Sequence, residues 1–169
     1  MELIPTLLRG LQLLWLLLLT ALIGNVIATN ISAASSAEAA VNFSMFVIVI
    51  TWLAALYGLV ATVVEQLSIP LAQLGLDGAA ALFTFIDAIV LAAKLRAVNC
   101  ANTKDLGTDW IGYGSADDQK RCRELQASTF FMWVLFATTA INLGLFAMTW
   151  RRTGGSVRSG PPHMAQVRV

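Results

Sequence analysis

The sequence predicts an all-α membrane protein with four spanning helices, on three observations. The chain of 169 residues is 57% apolar and only 12% charged, against the about 25% charged residues usual in a soluble globule. Its mean hydropathy is +0.72. The charges are clustered: none lies between Arg9 and Glu38, between Glu38 and Glu65, or between Glu124 and Arg151. Each gap holds more than the ~20 residues that a bilayer-spanning helix needs. These values exclude a disordered chain and argue against a water-soluble one. Inside lipid every backbone polar group must be satisfied within its own segment, and the two-residue alternation of barrel strands is absent, so the spans are helices.

The first span covers 7–28 and is dense in Leu. It is longer than the 7–15 residues of a signal-peptide core and its only positive charge is Arg9 near its start, so it reads as a retained helix. The second covers 41–64. The third covers 71–97, starts behind Pro70, and is the only span with acids inside it, Asp77 and Asp87. The fourth covers 130–150. Short connections are expected at 29–40 and 65–70. The segment 98–128 is the one sizeable soluble loop, with Gly107, Gly112 and Gly114 as turn residues. Residues 1–150 thus form one transmembrane domain. Residues 151–169, with four Arg among Gly and Pro, read as a flexible basic tail near lipid headgroups.

Four spans put both termini on one side. Lys and Arg number five on the terminus side and six on the other, which is no positive-inside signal. The cysteines break the tie. Cys100 and Cys122 lie near the two membrane ends of the long loop. A bridge between them closes about 22 residues, a gain of ~3 kcal/mol by chain entropy. Disulfides persist outside the reducing cytosol, so a bridge places the loop outside and both termini in the cytosol. The alternative is two free thiols, with Cys100 palmitoylated beside a cytosolic loop. On the first orientation the sequons at Asn30 and Asn42 also face outward, close to the membrane.

Several short stretches then stand out: Tyr57-Gly58, Glu65, Pro70-Leu71, Leu76-Asp77, Phe83-Thr84-Phe85, Arg96-Ala97 with Cys100, and Arg121-Cys122-Arg123 with Gln126-Ala127. From the first span to the last, the chain resembles the fungal non-classical export protein family of MARVEL-domain, four-helix membrane proteins. The paired cysteines in their Arg-Cys-Arg and Gln-Ala context are the most specific part. The resemblance implies cytosolic termini and a plasma-membrane address in the furrow-like microdomains of eisosomes. It also implies links to sphingolipid-dependent signalling and to export of leaderless proteins. No catalytic motif comes with it.

Several residues are candidates for work inside the membrane. Asp87 lies about ten residues from the outer end of the third span, roughly 15 Å by helical rise and close to mid-membrane. An acid there is a functional candidate by default, for a proton relay or a polar contact with lipid or partner. Alternatively it is a protonated acid hydrogen-bonded to a neighbouring helix, for instance to a Thr or Asn. Lys94 lies two turns further on the same face and snorkels outward. Asp77 and Glu65 flank the tight turn as interfacial anchors, and Glu65 is in reach of Arg9. Ala54, Gly58 and Thr62 form a small-residue stripe, which serves helix packing inside one bundle or an interface between copies. Trp15, Trp133 and Trp150 are assigned to interfacial belts. Trp110-Ile111 either dips into lipid or packs under the disulfide. Thr153 and Ser156 are hydroxyls beside basic residues, candidates for a phosphorylation switch at the membrane surface.

Three function classes follow. A non-enzymatic membrane organiser would bind sterol- or sphingolipid-rich bilayer, form a homo-oligomer and present its cytosolic side to an eisosome scaffold protein. A small proton-coupled transporter would be built around Asp87, but inverted repeats and broken helices are not evident. An enzyme would need converging titratable groups, and the single His, His163, lies in the tail. A net charge of +1 leaves no basic face for nucleic acid. One His and two distant Cys form no metal-binding pattern, so no metal or cofactor is expected.

Overall fold

The computed structural model describes residues 3–64, 69–96, 98–102 and 107–152. Four α-helices follow one another: α1 Leu3–Ala28, α2 Ser35–Val63, α3 Pro70–Leu95 and α4 Asp118–Arg152. All four are long and apolar enough to cross a membrane. Each helix packs on two neighbours: α1 on α2 and α4, and α3 on α2 and α4. In cross-section this is a square, with α1 and α3 on one diagonal.

Large apolar side chains cover the outside. Leu7, Leu17, Leu53, Leu82 and Phe130 are each more than half exposed, as a bilayer solvent requires. Small residues line the inside: Ala54, Ala55, Ala80, Ala81 and Ala88 are buried, which lets helix backbones approach in lipid. Leu16, Leu19, Ile23, Met132 and Leu135 fill the centre at 0% exposure.

The helices are longer than the apolar runs. α4 begins at Asp118, twelve residues before the expected 130. Hydropathy marks the part of a helix in lipid, whereas its start is set by capping. Asp117 Oδ1 accepts from the Lys120 backbone N–H at 3.0 Å, and Asp118 Oδ1 accepts from the N–H groups of Gly114 and Ser115 at 3.1 and 3.0 Å. α2 likewise starts at Ser35, ahead of the expected 41, after an extended Ala34. The long soluble loop is therefore shorter than expected. α3 begins with Pro70 in its first turn, where the missing N–H has no intrahelical partner to lose.

What remains of the loop is tied down. Cys100 and Cys122 are bridged, with Cα atoms 5.7 Å apart. Trp110 and Ile111 pack beside the bridge at 6% and 0% exposure, which settles their placement in favour of packing. Trp110 Nε1 donates to the carbonyl of Leu95 at 2.9 Å, satisfying one of the orphan acceptors at the end of α3. Gly114, at φ +104°, lies against the Ala33 backbone, and its carbonyl accepts from the N–H groups of Ile31 and Ser32. A side chain there meets both backbone strain and a clash.

Candidate functional site

Three clusters contain buried polar groups that join different elements, while the buried hydroxyls of Thr51, Thr84, Ser128 and Thr139 donate to carbonyls of their own helices. The first lies toward the terminus end. Arg9 leaves α1 and crosses the diagonal of the square to Asp77 on α3. Nη1 donates to Asp77 Oδ1 at 2.8 Å and to Gln12 Oε1 at 3.1 Å, and Nη2 donates to Asp77 Oδ2. Arg9 and Asp77 are 4% and 2% exposed. Helices on a diagonal are too far apart for short side chains, and the guanidinium supplies both length and a two-pronged fork. Gly58 of α2 makes the crossing possible: a Cβ on it would fall on the Arg9 guanidinium.

This corrects one expectation and leaves another outside the described residues. Asp77 is not an interfacial anchor, because it faces inward and is buried by the partner it neutralises. Arg9 commits its fork to Asp77, whereas Glu65, the partner expected for it, lies outside the described residues. Ala54 is 2% exposed and Gly58 is buried, so these two residues serve packing inside the bundle. An interface between copies would need another face. The Thr62 side chain, Thr153 and Ser156 lie outside what is described.

The second cluster joins α2 and α3. Ser44 Oγ donates to Asp87 Oδ1 at 2.8 Å and also lies 3.1 Å from the Ala40 carbonyl. Its single hydrogen serves one acceptor at a time. Both residues are 0% exposed, and Asp87 Oδ2 has no partner among the described residues. Asp87 is eight residues from the outer end of α3 and Ser44 nine from that of α2, which places the pair in the outer third of both helices. The partner is a small polar side chain of a neighbouring helix, Ser44. Lys94 is exposed in the last turn of α3, where a cation suits the helix dipole, and it forms no ion pair with Asp87.

The third cluster lies at the disulfide end. Arg121, 2% exposed, donates from Nε to the Ile111 carbonyl at 3.1 Å and from Nη1 to Asn30 Oδ1 at 3.2 Å. Asn30 Nδ2 donates in turn to Glu38 Oε1 at 2.7 Å. The Asn30 amide is thus engaged, and in the second sequon the Ser44 hydroxyl is buried against Asp87 while the Asn42 amide is exposed. Trp15 and Trp133 also depart from the interfacial assignment. Both lie well inside their helices, Trp15 stacked on Phe131 at 5.6 Å and Trp133 edge-on to Phe85 at 6.0 Å.

Gln12, Ser44, Asn30, Glu38 and Arg121 were not anticipated as partners. The readable signal was the same for Gln12 and Ser44: a lone polar residue in an apolar run needs a partner, since an unpaired one is costly there. Among the described residues, no group of three His, Cys, Asp or Glu is placed to hold a metal ion.

Comparison with known proteins agrees with this architecture. The MARVEL family, described as a membrane-associating domain, matches residues 2–145. Non-classical export protein 2 of Saccharomyces cerevisiae is 29% identical, covering 99% of both chains. Its homolog 1 from the same yeast is 30% identical, over 88% of this chain and 82% of its own. No solved structure shows significant similarity. A multi-pass, four-helix bundle with a disulfide-closed loop, matched over this length, belongs to the MARVEL membrane-associating family, among the non-classical export proteins.

Proposed function

We propose that the protein is a non-enzymatic organiser of plasma-membrane microdomains of the eisosome type, acting in sphingolipid-linked signalling and in non-classical protein export. Both termini face the cytosol, where the tail and the α2–α3 turn meet a scaffold protein. Its outer surface carries sphingolipid or sterol, and several copies associate laterally. The names of the yeast relatives support the link to export. One structural observation supports organisation over transport. The two intramembrane polar clusters are separated by a layer in which Leu16, Leu19 and Leu135 are at 0% exposure and the buried hydroxyls of Thr51, Thr84 and Thr139 donate to carbonyls of their own helices. A solute pathway would need polar continuity across that layer.

A proton-coupled transporter built on Asp87 is the second reading, supported by the unpartnered Asp87 Oδ2. One experiment separates the two. Purified protein in proteoliposomes with an internal pH-sensitive dye is expected to show no proton flux above empty vesicles. In cells the tagged protein is expected in stable surface patches. A flux abolished by Asp87→Asn, or a uniform surface distribution, overturns the organiser.

A further inference from the structure

A cleft of about 240 Å³ opens at the disulfide end between α1, α2 and α4. Its apolar wall is Val26, Ile27 and Val41, and its polar wall includes Arg121, Glu38 and Asn42. Ile27 is 38% exposed, so the apolar wall runs out onto the surface that faces lipid. The volume is below the ~300–1,000 Å³ of pockets that enclose a whole small molecule. It suits a headgroup whose chains remain outside, along Ile27.

The polar wall states what that headgroup must offer. Arg121 has Nε and Nη1 engaged by Ile111 and Asn30, which leaves Nη2 as an open donor. Glu38 has Oε1 taken by Asn30, which leaves Oε2 as an open acceptor. The Asn42 amide makes no hydrogen bond to a described residue and offers its Oδ1 as a second acceptor beside the neutral Nδ2 donor. One cationic donor and two acceptors, one of them anionic, complement a zwitterion. They fit a phosphate that accepts from Arg121 and an ammonium that donates to Glu38 and Asn42. A purely anionic headgroup fits poorly, because Asp118, Glu38 and Glu124 all act electrostatically on Arg121. Three carboxylates around one guanidinium leave the surroundings net negative, so a phosphate is tolerated there only with a cation of its own beside it.

We infer that this cleft binds the headgroup of a zwitterionic phospholipid with a primary ammonium, that is, a phosphoethanolamine lipid. A choline headgroup carries the same charges but has no N–H to give Glu38 and Asn42. The inference concerns lipid recognition by the bundle alone and does not depend on the proposed role in microdomains.

The test uses full-length protein in nanodiscs of phosphatidylcholine, with native mass spectrometry of lipid retained after ejection. Phosphatidylethanolamine, phosphatidylglycerol and free phosphoethanolamine are added in parallel. A charge-assisted hydrogen bond is worth enough to expect about a tenfold preference for phosphatidylethanolamine over phosphatidylcholine. Glu38→Gln is expected to lower the ethanolamine preference several-fold and Asn42→Leu to lower it less, with the disulfide intact by mass in both. Free phosphoethanolamine is expected to compete weakly, since it lacks the chains that lie on Ile27; competition equal to that of the lipid would make the soluble headgroup the ligand. Equal retention of the ethanolamine and choline lipids, a preference for phosphatidylglycerol, or a preference unchanged in both variants overturns the inference.

Discussion

The two ends of the bundle are held by opposite means. At the disulfide end, the covalent bridge, the Trp110–Leu95 bond, the Arg121–Ile111 bond and the Gly114 turn all act together. Most of them use irregular backbone. At the terminus end, one ion pair from Arg9 to Asp77 crosses the bundle between two diagonally opposite helices. Irregular backbone has partners outside the hydrocarbon and none within it. Ties outside lipid are therefore numerous and share the load. A tie inside lipid must come from side chains alone, and a charged one has no substitute when its partner is lost.

The largest effect is expected where that comparison is sharpest. Arg9→Met or Asp77→Asn strips one partner from the other. Breaking a buried pair in this way costs about 3–5 kcal/mol, whereas replacing both partners with apolar groups is often near neutral. Arg9→Met with Asp77→Leu should thus recover most of the loss of either single change. Unfolding titrations in mixed micelles check this. Losses that simply add in the double variant would mean that the two side chains act separately, and the contrast between the ends would fall.

The disulfide end should yield less and in a more confined way. Cys100→Ala with Cys122→Ala removes a closure of 22 residues, worth ~3 kcal/mol on the chain-entropy account. The hydrogen bonds of Trp110 and Arg121 remain to hold the loop. Hydrogen exchange is expected to rise across 107–117 and to stay unchanged around Arg9 and Asp77. Exchange rising equally at both ends would show that the bridge supports the whole bundle.

The fold was legible in the sequence because charge-free runs of bilayer length allow one solution. The bridge was legible because two cysteines flanked one loop. Helix ends were not, since Asp117 and Asp118 set the start of α4 by hydrogen bonds that hydropathy ignores. Nor was the pairing of Arg9 with Asp77. Arg9 lies near Glu65 in any reading of turns, and only the square arrangement shows that α3 is in reach across the diagonal. Asp87 was legible as an acid inside the third span, with a hydrogen bond to a neighbouring helix as one reading. Its partner was not, because Ser44 is one small hydroxyl within the apolar run of α2.

Gly58 supplies the smallest predicted effect and the finest probe of the difference between the ends. Its place in a small-residue stripe would suggest contact with another copy, but its neighbour is the Arg9 guanidinium. Gly58→Ala adds one methyl group where the fork passes, so Arg9 must shift and its two bonds to Asp77 must distort. Overpacking of this kind costs typically ~1–3 kcal/mol, partly offset by the better helix propensity of Ala. A net loss of about 1–2 kcal/mol is expected. The same substitution in the Arg9→Met, Asp77→Leu background should cost little, because the group it displaces is gone. That coupling, read from a double-mutant cycle, assigns Gly58 to the ion pair. An equal cost in both backgrounds, with a changed number of copies per nanodisc, would instead assign Gly58 to a contact between chains, and the terminus end would then owe its order to assembly as well as to its buried charges.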